Sequence, residues 1–319
     1  VILPIHSTSK RVRACAVLAT ALLTATAIPV TAQERPAAAT VTAKPIRGGA
    51  YWVDGGRANT GFIIGKTGVI VIDAQMTPDT VRQELSAIAK LTPKPVTTII
   101  VTHADPDHVG GVPLYPATAD LILSENAWSE VLASANDPAA GPLGPVYKRI
   151  VNHHPAKTIG ATETTTIDGV KMTLIYVGPA HTSGDLMIYL PTEKIVYAGD
   201  IVTTNLGRYP VVHLGGSSLG WINTMKVLLA LDASTYVGGH GAFETRAQLQ
   251  ARVRDTEERR AAVKAMVNEN KTLAEIETAL PEPDASPMFL SFTHTVYEEL
   301  TTGYPPASPP WLNLVHRQP

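Results

Sequence analysis

The apolar residues change period along the chain in a way that separates strands from helices. Residues 50–53, 60–64 and 69–73 are short β-type runs set apart by glycines, the pattern of hairpins. Residues 78–91 place Val81, Leu85, Ile88 and Leu91 at helical spacing. Residues 97–101 (TTIIV) are a continuous β-branched run, the mark of a strand buried on both faces, and it leads into His103. A further strand at 121–123 and a helix at 125–135 come next.

Residues 136–160 contain Pro, Gly and Asn and read as a long loop over a site. Strands resume at 164–167, 170–177, 186–190 and 194–198, and residues 219–231 read as a helix. A short strand at 236–237 enters Gly238-Gly239-His240-Gly241, and residues 245–268 form a long, charged amphipathic helix. The last 39 residues, with Pro281, Pro283, Pro287 and a cluster at Pro305–Pro310, are expected to wrap the surface. Two halves that each run strands and then helix predict an α/β (α+β) chain, layered as an αββα four-layer sandwich.

Composition adds limits. The chain has 319 residues, 45% hydrophobic and 17% charged, which suits a globular protein. A net charge of −2 gives no basis for binding nucleic acid. Lys10, Arg11 and Arg13 precede an apolar run at 14–30, and Val30-Thr31-Ala32 offers a small-residue cleavage site. Residues 1–32 therefore read as a Sec-type signal peptide cut after Ala32. The expected destination is periplasmic or secreted, with no stable membrane insertion after cleavage. Cys15 lies inside that segment and is the sole cysteine, so the mature chain has no disulfide or thiolate ligand. Residues 33–47 are expected to be a flexible lead-in, 48–245 the catalytic domain, and 246–319 C-terminal helices and a Pro-rich tail packing on it.

The chemistry concentrates in Val101-Thr-His-Ala-Asp-Pro-Asp-His-Val-Gly-Gly111. His103, Asp105, Asp107 and His108 lie just past a buried strand, where Pro106 stiffens the loop and the glycines allow close approach. His181, Asp200 and His240 each come after a strand, and sheet ends are where sites are assembled. Asp73 also ends a buried strand and suits a structural role beneath these residues. Thr102, Thr182 or Asp73 could orient ligand imidazoles. Tyr209, His213 and Trp221 are candidates to line a substrate pocket.

The set His103, Asp107, His108, His181, Asp200 and His240, in this order, resembles the metallo-β-lactamase superfamily over roughly residues 48–245. The resemblance implies two divalent metal ions. One site would use His103, position 105 and His181, the other Asp107, His108 and His240, and Asp200 would bridge them. The chain departs from the family's His-x-His-x-Asp-His motif, because Asp105 stands where the second His belongs. Zinc is the expected metal, with iron or manganese left open by Asp105. Ala-Gly-Asp at 198–200 looks more like ester-cleaving branches than β-lactam-cleaving ones, which carry Cys or Ser there.

These features imply hydrolysis of an ester, lactone or amide bond in a small-molecule substrate. The nucleophile would be a metal-bound hydroxide, formed because the metal lowers the water pKa to about 7. His103, Asp107 and Asp200 would be its catalytic side chains. A mononuclear iron oxidoreductase using His103, His181 and Asp200 is an alternative, as is genuine β-lactamase activity. A non-catalytic structural metal is disfavoured by the number of ligand candidates. Phosphoesters are also disfavoured, since the loops hold few cations beyond Lys148, Arg149 and Arg208. Asp105 would neutralise the centre, so an anionic substrate would be attracted less than with His there. Substrate identity and oligomeric state stay open.

Overall fold

The computed structural model describes residues 40–153 and 155–303. The expected signal peptide at 1–32, residues 33–39 of the lead-in, His154 and the Pro305–Pro310 cluster lie outside the described residues. Among the described residues, no helix is long and apolar enough to cross a membrane.

In chain order the first sheet begins with β1 (Thr42–Arg47), β2 (Ala50–Asp54), β3 (Thr60–Ile64) and β4 (Val69–Ile72). Helix α1 (Pro78–Leu91) crosses to β5 (Val96–Ile100). The short α2 (Pro106–Val109) precedes β6 (Asp120–Ser124), and α3 (Glu125–Asn136) and α4 (Gly144–His153) precede β7 (Ala156–Ile159). The strands lie in sequence order, antiparallel from β1 to β4 and parallel from β4 to β7. The second sheet holds β8 (Glu163–Ile167), β9 (Val170–Ile175), β10 (Met187–Leu190) and β11 (Ile195–Thr203), then α5 (Ser218–Ala230) leads to its last strand β12 (Thr235–His240). Its order is β12-β11-β10-β9-β8, with only β11 and β12 parallel. Helices α6 (Arg246–Asn268), α7 (Leu273–Ala279) and α8 (Phe292–Thr302) come after the second sheet.

The period-2 alternation of the buried strands sorts side chains into layers. Val69, Val71, Ile99, Leu121 and Leu123 face one way, into a core shared with Val81 and Ile88 of α1, Val131 of α3 and Ile150 of α4. Their neighbours Ile70, Ile72, Ile100 and Ile122 face the other way and meet Leu174, Ile188, Leu190 and Ile195 of the second sheet. On that sheet's far side, Val196, Ala198, Val202 and Tyr236 pack on Trp221, Met225 and Leu228 of α5 and Leu249 and Val253 of α6. Three apolar interfaces between four layers give the expected αββα sandwich.

Two expectations change. The lead-in expected to be flexible through residue 47 is strand from Thr42, because its backbone pairs with β2. The long loop expected over 136–160 contains a 3-10 turn (Pro138–Leu143), α4 and β7. Prolines and glycines there hide a helical spacing in which Tyr147 and Ile150 are buried against the first sheet's outer core. The C-terminal helices expected after residue 246 include α7 and α8, whose N-termini Thr272 and Ser291 cap with their side chains. α8 closes a small core of Val263, Ile276, Phe292 and Val296.

Glu84 on α1 is a buried acid in this frame. It is fully inaccessible, with Thr60 donating to its carboxylate at 2.8 Å and Gln75 donating to Thr60 at 3.2 Å. Burial pushes its pKa up to about 8, against the opposing Thr60 and Gln75 hydrogen bonds and with help from the negative Asp73. The folded chain then binds this proton more tightly than the unfolded chain, whose carboxyl titrates near 4.5. The stabilising contribution is complete below that value and is lost as pH rises through about 8. Glu84→Gln, which is neutral at every pH, is expected to raise Tm relative to wild type at pH 8–9 and to leave it little changed at pH 5. Paired thermal melts measure this; an equal shift at both pH values would mean that Glu84 does not titrate in this range.

Candidate metal centre

The site forms where the two sheets end side by side. The end of β4 delivers Asp73, and the turn after β5 delivers Thr102 and His103. α2 carries Asp107 and His108 with Asp105 at its N-cap position. The loop before β10 supplies His181, β11 supplies Asp200, and the end of β12 supplies His240.

The sequence pattern places Asp200 beyond a strand that stops at residue 198. β11 continues to Thr203 instead, and its pairing with β12 slips on both sides of Gly199. Gly199 takes φ 50, a left-handed conformation that favours glycine, and a Cβ there would overlap Thr102. The bulge turns the Asp200 side chain into the site. On the adjacent strand a Cβ at Gly239 would overlap Asp200 Oδ1, so glycine is what lets the carboxylate stand here.

The ligand atoms fall into sets whose members lie within 4.8 Å of one another: His103, Asp105 and His181, and Asp107, His108 and His240, with Asp200 joining His103 and His108 in a third. Asp200 touches both groups. Its Oδ2 is 3.6 Å from His181 Nε2 and 3.3 Å from His240 Nε2, and its Oδ1 is 3.3 Å from His108 Nε2. The first set is sealed, with His103 and His181 inaccessible. The second opens outward, since the side chains of Asp107 and His240 keep 21% and 12% of their exposure.

Three imidazoles have fixed tautomers. Asp73 Oδ1 accepts the Thr102 N–H at 2.7 Å, and the Thr102 hydroxyl donates to Asp73 Oδ2 at 2.9 Å. Thr102 Oγ1 is therefore free to accept from His103 Nδ1 at 3.0 Å. His108 Nδ1 lies 2.9 Å from Asp73 Oδ2, and His181 Nδ1 lies 2.9 Å from the Val211 carbonyl. Each Nδ1 faces an acceptor, so each neutral ring carries its proton there and turns the Nε2 lone pair inward. Thr102 and Asp73 thus orient ligands. Thr182 does not: its N–H and hydroxyl donate to Asp185 and shape the loop.

The electrostatics suit a cation. Burial disfavours a charged His108, but Asp73, Asp200 and Asp107 outweigh it and hold the metal-free imidazole well above its usual range. Burial is likewise outweighed at His181, raised to about 9 by Asp105 and Asp200, and at His240, raised to about 10 by Asp200 and Asp107. Burial acts to raise Asp105, Asp107 and Asp200, yet the surrounding histidines keep all three carboxyls below their ordinary value. A field that retains protons on buried imidazoles also attracts a metal ion. The donor set fits one. His103 Nε2, His108 Nε2, Asp105 Oδ1 and Asp200 Oδ1 are buried without a hydrogen-bond partner, a costly state that coordination relieves.

The candidate pocket residues separate. His213 enters the cluster, with Nε2 3.0 Å from Asp105 Oδ2. Trp221 does not line a pocket: its ring fills the core under α5, and its indole N–H donates to the Ile201 carbonyl at 3.0 Å. Tyr209 is also drawn away, stacked on Phe292 with the Arg259 guanidinium 4.7 Å from its ring centre. The sequence carries no signal for the Val211 carbonyl. Nor does it reveal Phe289, whose ring stands 5.2 Å from His213.

The metallo-beta-lactamase superfamily profile matches residues 53–240, a span containing all seven candidate ligands. The chain is 33% identical over 203 residues to the 2,4-dinitroanisole O-demethylase subunit alpha of Nocardioides sp. (strain JS1661), covering 63% of this chain and 57% of that one. It is 26% identical over 211 residues to the linear primary-alkylsulfatase of Pseudomonas sp. (strain ATCC 19151), covering 54% and 39%. The chain spans about half the length of these curated relatives. Among solved structures, a metallo-beta-lactamase from Pontibacter korlensis superposes with TM-score 0.57 at 18% identity, covering 68% of this chain and 99% of that one.

Asp73 offers a direct check. Its φ of 60 is one that Asn also tolerates, and Asn keeps an oxygen for the Thr102 N–H. Asp73→Asn loses the charge and puts an NH2 donor where Oδ2 accepts from His108 Nδ1 and from the Thr102 hydroxyl. It is expected to weaken zinc binding by about 10–100-fold in a chelator competition. Unchanged affinity with an unchanged circular dichroism spectrum would show that Asp73 serves the backbone alone.

Proposed function

The chain belongs to the metallo-beta-lactamase superfamily, and on that premise we propose that it is a metal-dependent hydrolase of an uncharged small-molecule ester or activated aryl ether. The observation that carries this reading is the convergence of two ligand sets on one shared carboxylate, Asp200. Two divalent ions bound there would supply a water acidic enough to be a nucleophile near neutral pH and a Lewis acid for the electrophile.

The chain's own residues prepare the rest. Asp73, Thr102 and the Val211 carbonyl keep His103, His108 and His181 in one tautomer through turnover. The sealed inner set excludes water, while the exposed edge at Asp107 and His240 is where a substrate enters. Asp107 Oδ2, 3.4 Å from His240 Nε2, is the carboxylate placed to take a proton at that edge.

Charge narrows the substrate class. The Arg208 guanidinium is engaged by Asp255 and the Arg252 guanidinium by Glu244. No described hydrogen bond or ion pair brings an Arg or Lys to the ligand cluster, and Asp105 adds a negative charge to it. This favours a neutral substrate over an alkyl sulfate. The ester and ether classes also take in the type of bond named for the demethylase relative. A β-lactam fits less well, since Asp200 stands where β-lactam-cleaving members carry Cys or Ser. The basic and then apolar segment at 10–32 supports export to the periplasm or medium.

The test begins with elemental analysis of the purified chain. About two zinc ions, with chelator-sensitive cleavage of a neutral aryl ester or 2,4-dinitroanisole and little of an alkyl sulfate or nitrocefin, is the expected result. One iron and oxygen-dependent turnover would replace hydrolysis by oxidation. A second measurement addresses charge: Asp105→His is expected to lower KM for an anionic ester relative to a neutral one. Equal changes on both would remove Asp105 from the selection of substrate.

A further inference from the structure

The motif lacks an imidazole at position 105, yet the inner ligand set is not short of one. The loop between β11 and α5 brings His213 to the place where it is missing. The backbone fixes this position. The His213 N–H donates to the His181 carbonyl at 2.8 Å, and the Ser183 N–H donates to the Leu214 carbonyl at 3.1 Å. Leu214 and Gly215 then turn back with positive φ, and the Gly216 N–H closes on the His213 carbonyl at 2.8 Å. The same loop gives the Val211 carbonyl to His181 Nδ1. The two histidines are therefore carried by interlocked segments.

The donor atoms are spaced as the corners of a coordination shell. His213 Nε2 lies 3.0 Å from Asp105 Oδ2 and 3.2 Å from His181 Nε2. Asp105 Oδ2 lies 3.4 Å from His181 Nε2 and 3.6 Å from His103 Nε2. Ligands of a tetrahedral zinc ion with bonds near 2.0–2.1 Å stand about 3.3 Å apart. His181 Nε2 presents a lone pair, because its proton is held on Nδ1 by Val211. A simple Asp105–His213 hydrogen bond would not require His213 Nε2 to face this second acceptor as well.

Resting on the reading of this cluster as a metal site, we infer that His213 is a protein ligand of the inner metal ion, completing a set of His103, Asp105, His181 and His213. The chain has moved an imidazole from the motif to a distant loop and kept a carboxylate in its place. The inner ion would then have three neutral nitrogen donors and the Asp105 oxygen beside the shared Asp200 carboxylate, and the Phe289 ring stands 5.2 Å from the His213 ring.

The test is zinc binding by the full chain, stripped of metal, and not turnover. Calorimetric titration of wild type should show two ions. His213→Ala and His213→Gln should each lose at least tenfold in affinity for one ion and keep the other. Gln can still donate a hydrogen bond to Asp105 but is a poor zinc ligand. If Gln binds both ions as tightly as wild type, His213 only positions Asp105 and the inference fails. Imidazole nitrogen NMR on the wild-type chain guards against a folding artefact. His213 Nε2 should shift on zinc addition in the same step as His181, whereas a persistent His213 Nε2–H would overturn the assignment. A chain that binds zinc through His213 but cleaves nothing keeps this inference and removes the hydrolase reading.

Discussion

A single buried carboxylate, Asp73, ties the two parts of the site together. It sits where β4 stops, in a left-handed backbone conformation, and accepts bonds from the next strand's end and from the motif loop. Through Thr102 it sets the His103 ring, and directly it sets the His108 ring. These two histidines belong to different ligand sets. A shift of Asp73 would therefore displace both sets at once. Buried carboxylates are costly unless their lone pairs are used, and here the backbone amide, the hydroxyl and the imidazole use them.

The same arrangement explains why the inner set is sealed and the outer set open. His103 and His181 of the inner set are inaccessible, and Tyr147 of α4 donates to the Ala104 carbonyl in the turn between His103 and Asp105. Asp107 and His240 stand at the rim, on a helix of one turn and at a strand terminus. Packing thus makes the two ligand sets unequal in their access to solvent. The inner set is buried, and the outer set meets solvent at Asp107 and His240.

Strand ends make most of the ligands legible in the sequence. His103 comes after a β-branched run, and His240 sits among glycines after a short strand, so local pattern alone marks both. Asp200 is marked too, but its setting is not, because a bulge in the middle of a strand needs the pairing of β12 to be seen. Trp221 reads as a pocket residue because aromatic residues near a loop suit either surface or core, and only the packing of α5 on the second sheet decides. α4 is hidden because Pro142 and the glycines at 141 and 144 break the pattern just before its apolar face begins. The Val211 carbonyl has no side-chain signature at all.

The superfamily match ends at residue 240, yet the loop that carries His213 is anchored by the C-terminal helical region. At one end, the Arg208 N–H donates to Asp284 and its guanidinium to Asp255 of α6. At the other, Glu299 of α8 binds both the N–H and the hydroxyl of Ser218, and Arg260 donates to the same hydroxyl. Between them Tyr209 stacks on Phe292, and Phe289 rests against His213. A loop held at two points with its middle covered cannot swing freely. The C-terminal helices therefore act on the metal centre through this loop, although none of their residues is among the seven ligands read from the motif. A chain that relocates an imidazole to a loop needs that loop rigid, and α6 to α8 provide the rigidity.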